Sequence, residues 1–560
     1  LEFKNVHIKN FRNFEDVEVT LANKNAFFGL NDVGKSNFLS AFRFVFDKDV
    51  RRQNFFDSDY HCRNTNLPIE ITLTIDISDL TCTDNQKLRA QLKGALLSSH
   101  QQVFIRLVAQ YDYAELTGVP LLYWGGDINN LQEMKQRGYL YEIDYVMNVV
   151  YIDSYVDLQN LFKKNVSKLM KNDEEEDKNV LQEIKGVIGD LNEKIASLSG
   201  IKDFEAKVTP EYKKYRNDNI SVSVKSEVAI KGLYSNLIPY VKRDDDTNLY
   251  PTAGDGRKKL LSYSLFDLIA SEMSEKKITL FLIEEPENHL HRSMQIALSR
   301  IIFSDERYKY LFVATHSPFI LYEMNFVNLV RIYNKTKVDS VSAFYKIPDA
   351  YESYKKILNR NLSEAIFADR VLLVEGPSEI MFFEKVLSVV NPFYEADGAY
   401  LLAANGIGFE KYFDILKGLG IKCIIKTDND LRSSKKGYSV LGFFRCNKYT
   451  KDAKYKLPIK PVTSNSITDK ITLYNNNQKK LDEIRKDFSL FLSKSDLEND
   501  LDEVIHDKLV VWLKKSDPVS YLQAAKHTNM VELLQYLDEK TCKEIYEHYN
   551  FACLKEVIKN

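Results

Sequence analysis

The sequence predicts an α/β protein: a first domain that mixes strands and helices and carries an inserted helical arm, followed by a parallel-sheet domain. Three observations carry that prediction. The octapeptide "GLNDVGKS" (residues 29–36) lies between strand-like "NAFF" and helix-like "SNFLSAFRFVF". Two later apolar runs, "ITLFLI" and "YLFVAT", lead directly into "EEPE" and "HSP". After residue 350 a β-α-β-α-β series ends two strands in acids, "VLLVEGPSE" and "KCIIKTDND", and that alternation implies a parallel sheet.

A chain of 560 residues suits about two to four domains, each with its own core. Its 77 basic and 79 acidic residues nearly cancel. This excludes a wholly basic nucleic-acid coat and leaves room for a local basic groove. The six cysteines are scattered without a C-x-x-C pair, which argues against a zinc module or disulfide framework and for a reducing, cytoplasmic setting. Apolar runs fall short of the roughly 18 to 20 residues a membrane span needs, so no membrane partner is expected. The charged "LEFKNVHIKNFRNF" does not read as a secretory signal.

Residues 1 to about 155 carry β-branched and aromatic runs such as "PIEITLTIDI" and "QVFIRLVAQY", so this part is expected to be strand-rich. From 157 to 217 the chain turns to helical leucine and isoleucine spacing with dense mixed charge, around a "KNDEEEDK" loop. That pattern fits an inserted arm for dimer contact; a surface helical hairpin with no partner is the plainer alternative. Residues 451–480 are polar, lysine- and asparagine-rich and weakly patterned, and are expected to be a loop or insertion. The chain is expected to end in helices.

"GLNDVGKS" fits G-x-x-x-x-G-K-[ST] without deviation. Gly29 and Gly34 let backbone amides turn onto phosphates, Lys35 brings a point charge to the outer phosphates, and the Ser36 hydroxyl suits magnesium. Asn31 in the loop and Asn37 in the first helical turn complete the expected ATP-binding set. Glu284, ending an apolar strand, is expected to hold the hydrated magnesium, and Glu285 to orient or deprotonate the attacking water. His316, just past another buried strand, is placed to sense the outer phosphate.

The order glycine-rich loop, "AGDGR", "EEPE", "THSP" resembles the ABC-type ATPase heads of SMC, RecF and OLD proteins. The resemblance implies that a signature glycine segment of one subunit closes over nucleotide bound to another. It carries that role to Gly254 and Gly256, although "PTAGDGRKKLLSYSL" departs from the commoner LSGGQ wording. "IKNFRNFEDVEV" resembles the first strands of such heads, with Arg12 where a basic residue approaches nucleotide.

The second domain places Glu375 at a strand end, where ligands of open parallel sheets gather, with Gly376 for the turn and Glu379 in the first helical turn. Asp428 and Asp430 end another strand at i and i+2, a spacing that presents both on one side of an extended backbone. "SDLENDL" adds Asp496, Glu498 and Asp500. An all-oxygen set without nearby His or Cys selects Mg²⁺ or Mn²⁺ over zinc. Three ordinary solvated acidic turns are the plainer alternative.

This constellation resembles the TOPRIM domain of primases, topoisomerases and OLD nucleases. The wording "EAIFADRVLLVEGPSE" with "SDLENDL" is closest to OLD nucleases of the Gabija antiphage type. The resemblance implies domains at 1–345 (with 157–217 as the arm) and 346–560. It implies a nucleotide-regulated endonuclease that cuts or nicks double-stranded DNA with two metals, with Lys526 contacting the developing charge. It also implies a homo-oligomer, dimer or tetramer, and a separate UvrD-like helicase partner. An ATP-driven repair or condensation protein with an inactive TOPRIM domain is the alternative reading. A topoisomerase is disfavoured because no nucleophilic tyrosine can be singled out, and a primase because no zinc module is present.

Overall fold

The computed structural model describes residues 1–29, 34–92, 99–155, 178–215, 221, 223, 240–242, 249–251, 255–274, 277–334, 337–406, 408–435 and 437–558. These fall into two compact units. One comprises Leu1–Val149, Leu280–Glu287 and Arg292–Asn560; the other comprises Val150–Thr279 and Asn288–His291.

In the first unit, Glu2–Phe11 pairs antiparallel with both Phe14–Thr20 and Ile69–Asp76, and the meander continues through Gln102–Asp112 and Thr117–Gly125. Burial alternates along Gln102–Asp112, with Val103, Ile105, Leu107 and Ala109 inward. That is the period-2 signature of a sheet with one face on the core.

A second sheet behaves differently. Ile278–Glu284, Tyr310–Ala314, Lys24–Phe28 and Val327–Asn334 run parallel in that spatial order, and Val338–Tyr345 closes the edge antiparallel. Tyr310–Ala314 is buried at every position, as a strand covered on both faces must be. Phe27, Phe38, Phe42 and Phe312 fill the space under the helix Lys35–Phe46.

The third sheet is wholly parallel, in the order Ala399–Ala403, Arg370–Val374, Lys422–Thr427, Leu490–Leu492. Its central strand Arg370–Val374 is buried throughout. One face packs on Pro377–Val390 and the C-terminal helices, through Phe382, Phe383, Leu501, Leu509, Met530 and Phe551. Within this unit Phe28 meets Phe367 edge-on at 5.6 Å, Arg331 pairs with Asp369, and Glu364 accepts from Tyr322 (3.0 Å) and Tyr400 (2.8 Å).

In the second unit the described part of the arm consists of helices Lys178–Ala196 and Ser199–Tyr215. The expected "KNDEEEDK" loop and the helix before it lie almost entirely outside the described residues. Among the described residues no helix is long and apolar enough to cross a membrane.

The expectation of a loop or insertion over 451–480 is corrected from residue 467 onward. Ile467–Asn476 is a helix and Gln478–Phe488 a second one. Ser466 caps the first, its side chain accepting from Asp469 N at 3.1 Å. Tyr474 is fully buried, with its hydroxyl taking Arg485 Nη2 at 2.9 Å. One buried aromatic and a cap thus override a polar composition.

A buried ion pair ties the third sheet to the helix Leu497–Leu513. Lys426 Nζ lies 2.6 Å from Asp500 Oδ2, with side chains only 4% and 1% exposed. Asp500→Ala is expected to leave Lys426 charged and uncompensated, costing about 3–5 kcal/mol. The measurement is the thermal unfolding transition. It should fall clearly in Asp500→Ala, and the double variant Lys426→Met/Asp500→Leu should recover most of the loss.

Candidate active site

Parallel strands place their carboxyl ends at one edge of a sheet, and two chemical sites arise there. The first begins where Lys24–Phe28 ends. Gly29 follows it, and Gly34, at φ 106°, opens the helix Lys35–Phe46. A Cβ on Gly34 would fall 1.9 Å from Asn13 Nδ2, so only glycine fits. Lys35 Nζ lies 3.1 Å from Gly29 O, across the base of the loop. Asn31 and its neighbours 30–33 lie outside the described residues. Ser36 is exposed at the head of the helix. Asn37 Oδ1 accepts from Arg12 Nη1 at 3.0 Å, Arg12 Nε donates to Asp59 at 2.9 Å, and Asn37 Nδ2 donates to Asn13 at 2.8 Å. Arg12 and Asn37 therefore engage each other and fix the start of the loop helix.

Glu284 ends the strand Ile278–Glu284, and Glu285 follows at φ 42° with its amide on Ala314 O. His316 Nδ1 is 3.7 Å from Glu285 and 3.3 Å from Glu287. Glu287 escaped the sequence reading. It is buried, its Oε2 accepts the Thr315 hydroxyl at 2.8 Å and its Oε1 the His316 amide at 2.8 Å. It thereby holds the His316 turn against the strand end. The third glutamate in "EEPE" was the available signal. Gly254 lies outside the described residues. In the second unit, Gly256 lies in the helix Asp255–Ser274, where a Cβ would meet His289 O at 2.7 Å.

The second site is an acidic basin at the carboxyl edge of the third sheet. Glu375 follows Arg370–Val374, Asp428 and Asp430 follow Lys422–Thr427, and Asp496 caps the helix that follows Leu490–Leu492. Glu375 Oε1 accepts from Thr427 Oγ1 (2.7 Å), Asp428 N (3.0 Å) and Arg445 Nη1 (2.5 Å). The same Arg445 nitrogen reaches Thr427 Oγ1 at 2.8 Å and Asp430 Oδ2 at 3.2 Å. Asp496 Oδ1 caps Asn499 N at 2.9 Å, and its Oδ2 accepts from Gln523 at 2.9 Å. Glu498 is 1% exposed, with Oε1 3.7 Å from Lys526 Nζ. Asp500, which "SDLENDL" also supplies, instead enters the Lys426 ion pair.

The electrostatics record crowding. Burial, reinforced by the charges of Glu375, Glu379, Asp496 and Asp430, pushes the Asp428 carboxyl well above its ordinary range. Burial, with Glu375 adding to it, raises Glu379 to about 7. Glu498 is raised by burial too, against the pull of Lys526. Burial works against the Lys526 charge, but Glu498, Asp428, Glu379 and Asp496 together raise its pKa.

Among the described residues no three acids converge tightly enough to cage an ion as they stand. The donor set nonetheless fits a hard divalent cation. It is all oxygen, it is short of positive charge, and Glu498 Oε2 is buried without a hydrogen-bond partner. Arg445, Thr427 and Gln523 were missed at the sequence level, because nothing local distinguishes them from ordinary helix or strand residues.

Residues 2–113 and 134–321 match the AAA ATPase domain family, and residues 366–430 match the TOPRIM domain of overcoming-lysogenization-defect-protein-like proteins. Along its whole length the chain is 44% identical to Endonuclease GajA of Bacillus cereus, covering 99% of that protein. It is 21% identical to the Old nuclease of Escherichia phage P2, over 77% of each chain. It is 26% identical to the OLD nuclease of Thermus scotoductus, over 28% of this chain and 32% of that one.

The Glu379 shift has a measurable sign. In the folded, metal-free protein its carboxyl holds a proton up to about pH 7, against about 4.5 when unperturbed. The folded state therefore binds more protons across that window, and stability falls as pH rises through it. Relative to wild type, Glu379→Gln should gain about 1–3 kcal/mol between pH 5 and pH 8 in EDTA. Melting curves at the two pH values check this, and a pH-independent difference would contradict it.

Proposed function

Because the chain belongs to the GajA family of OLD-type endonucleases, we propose that its acidic basin hydrolyses phosphodiester bonds of double-stranded DNA in antiphage defence. The observation that supports this reading is that Glu375, Asp428 and Asp430 stand at neighbouring strand ends and are linked through Glu375 Oε1 and Arg445. Glu375, Glu379, Asp428, Asp430, Asp496 and Glu498 would hold the divalent ions, Mg²⁺ or Mn²⁺. Ions bound there supply Lewis-acid polarisation of the scissile phosphate. Lys526, half exposed beside Glu498, balances charge that builds on the phosphate oxygens. The buried Lys426–Asp500 pair keeps the helix bearing Glu498 in register with the strand ending at Thr427.

The head binds ATP through Gly29, Gly34, Lys35 and Ser36, with Glu284, Glu285 and His316 facing the outer phosphates. Gly254 and Gly256 act as the signature segment. The head occupies 1–345 with the arm at 157–217, and the nuclease domain 346–560. The protein works in the cytoplasm as a homo-oligomer, dimer or tetramer, with a UvrD-like helicase as a separate partner.

Two experiments test this. Supercoiled plasmid incubated with protein and Mg²⁺ or Mn²⁺ should be nicked or cut, EDTA should stop the reaction, and Glu375→Ala should abolish it while ATP binding persists. Cleavage that survives EDTA, or that only zinc restores, would refute the chemistry. Nucleotide should also change the rate, because Phe28 at the end of the loop strand packs on Phe367 ahead of Arg370–Val374. A ligand shifts such an arrangement only through differential affinity for its states. ATP titrated at fixed free Mg²⁺ should slow cleavage, a direction taken from the family resemblance. Lys35→Ala should lose the response and keep the cleavage. Identical responses in the two proteins would show that the head does not control the nuclease.

A further inference from the structure

Arg445 sits on the helix Leu441–Thr450, which starts on the backbone of the acidic turn itself. Leu441 N and Gly442 N both donate to Asp430 O, at 2.9 and 3.2 Å. The helix is pressed onto that turn, since a Cβ on Gly442 would lie 3.0 Å from Asn429 Cα and from Asp428 O. Phe443 and Cys446 anchor its other face in the core. These contacts aim one guanidinium nitrogen at Glu375, Thr427 and Asp430 together.

We propose that Arg445 is a built-in counter-cation that occupies the Glu375–Asp430 edge of the basin and must withdraw before a metal ion can take both carboxylates. The inference rests on the reading of the basin as a metal site. A guanidinium cannot vacate by losing its proton, so it leaves only by moving. Its side chain is 24% exposed at the rim, which gives it an outward path. A divalent ion concentrates twice the charge on the same oxygens and displaces it once ion concentration suffices. Arg445 thus relieves the repulsion between carboxylates in the metal-free protein and sets a threshold for metal loading. The two cations exclude each other from shared ligands, which is negative coupling of the kind commonly worth about 5- to 150-fold in affinity.

The test uses full-length protein without DNA or nucleotide. Mn²⁺ is titrated calorimetrically into wild type, Arg445→Gln, Arg445→Lys and Glu375→Ala, and melting temperatures are taken in EDTA and in Mn²⁺. Arg445→Gln should bind Mn²⁺ about 10-fold tighter, melt lower than wild type in EDTA, and gain more on adding Mn²⁺. Unchanged or weaker Mn²⁺ affinity in Arg445→Gln would overturn the proposal, because a purely structural arginine lowers stability without tightening the metal. Should Arg445→Gln not fold, Arg445→Lys decides. It keeps the charge but loses the fork, so tighter binding supports displacement, and equal or weaker binding refutes it. Wild type showing no Mn²⁺ binding that Glu375→Ala removes would overturn the metal-site reading and this inference with it. Clear wild-type binding with no effect of Arg445 would overturn this inference alone.

Discussion

Carboxylates crowded at the edge of one parallel sheet repel each other, and the rest of the nuclease domain is arranged around that repulsion. A partly buried acid cluster survives only if cations neutralise it or protons discharge it. Both remedies are present. Lys426 answers Asp500, Arg445 answers Glu375 and Asp430, and Lys526 answers Glu498. What remains uncompensated falls on Asp428 and Glu379, whose carboxyls are driven toward the neutral form. The exposures of the three cations separate their roles. Lys426, at 4%, is locked into the core; Arg445, at 24%, sits at the rim; Lys526, at 51%, reaches into solvent. Burial makes a pair permanent and exposure makes it exchangeable, so only the outer two are free to answer a substrate or an ion.

The head uses the same device on a different sheet. Three adjacent parallel strands, Ile278–Glu284, Tyr310–Ala314 and Lys24–Phe28, end respectively in Glu284, the His316 turn and Gly29. Tyr310–Ala314 is buried throughout and Ile278–Glu284 and Lys24–Phe28 are buried over most of their length, so the charged groups of the site stand where the strands emerge. Glu287 supplies the local order there, since one carboxylate holds both the Thr315 hydroxyl and the His316 amide. Two chemically distinct sites therefore arise from one rule of sheet architecture.

That rule is also why much of the architecture could be read from sequence. Buried parallel strands appear as unbroken apolar runs, and an acid directly after "VLLV" or "CIIKT" is conspicuous. The α/β class and the parallel sheet after residue 350 followed from these runs. Side chains that act across the chain were not legible. Arg445 meets acids 15 and 70 positions away, from inside a helix with no local mark. Asp500 was named beside Asp496 and Glu498 because nothing in "SDLENDL" marks its partner, Lys426, which lies 74 positions away. The helix Ile467–Asn476 was hidden by its polar composition, its fold being decided by the Ser466 cap and buried Tyr474.

The strand that delivers Glu375 is not suspended on a flexible linker. Immediately before it, Phe367 lies against Phe28 of the phosphate-loop strand, and Asp369 is paired with Arg331 of the neighbouring strand. Glu364, a turn earlier, accepts from Tyr322 below the His316 turn and from Tyr400 on the strand beside Arg370–Val374. The Phe28–Phe367 contact lies between close-packed rings, and such packing passes displacement on rather than absorbing it. Between Gly29 and Glu375 the path is two aromatic rings and one buried strand. A rearrangement of the phosphate loop that moves Phe28 must either open a void beside Phe367 or carry the strand along, and a void costs about as much as losing a buried side chain. Carrying the strand shifts Glu375 relative to Arg445, Thr427 and Asp428, the contacts on which charge balance in the basin depends.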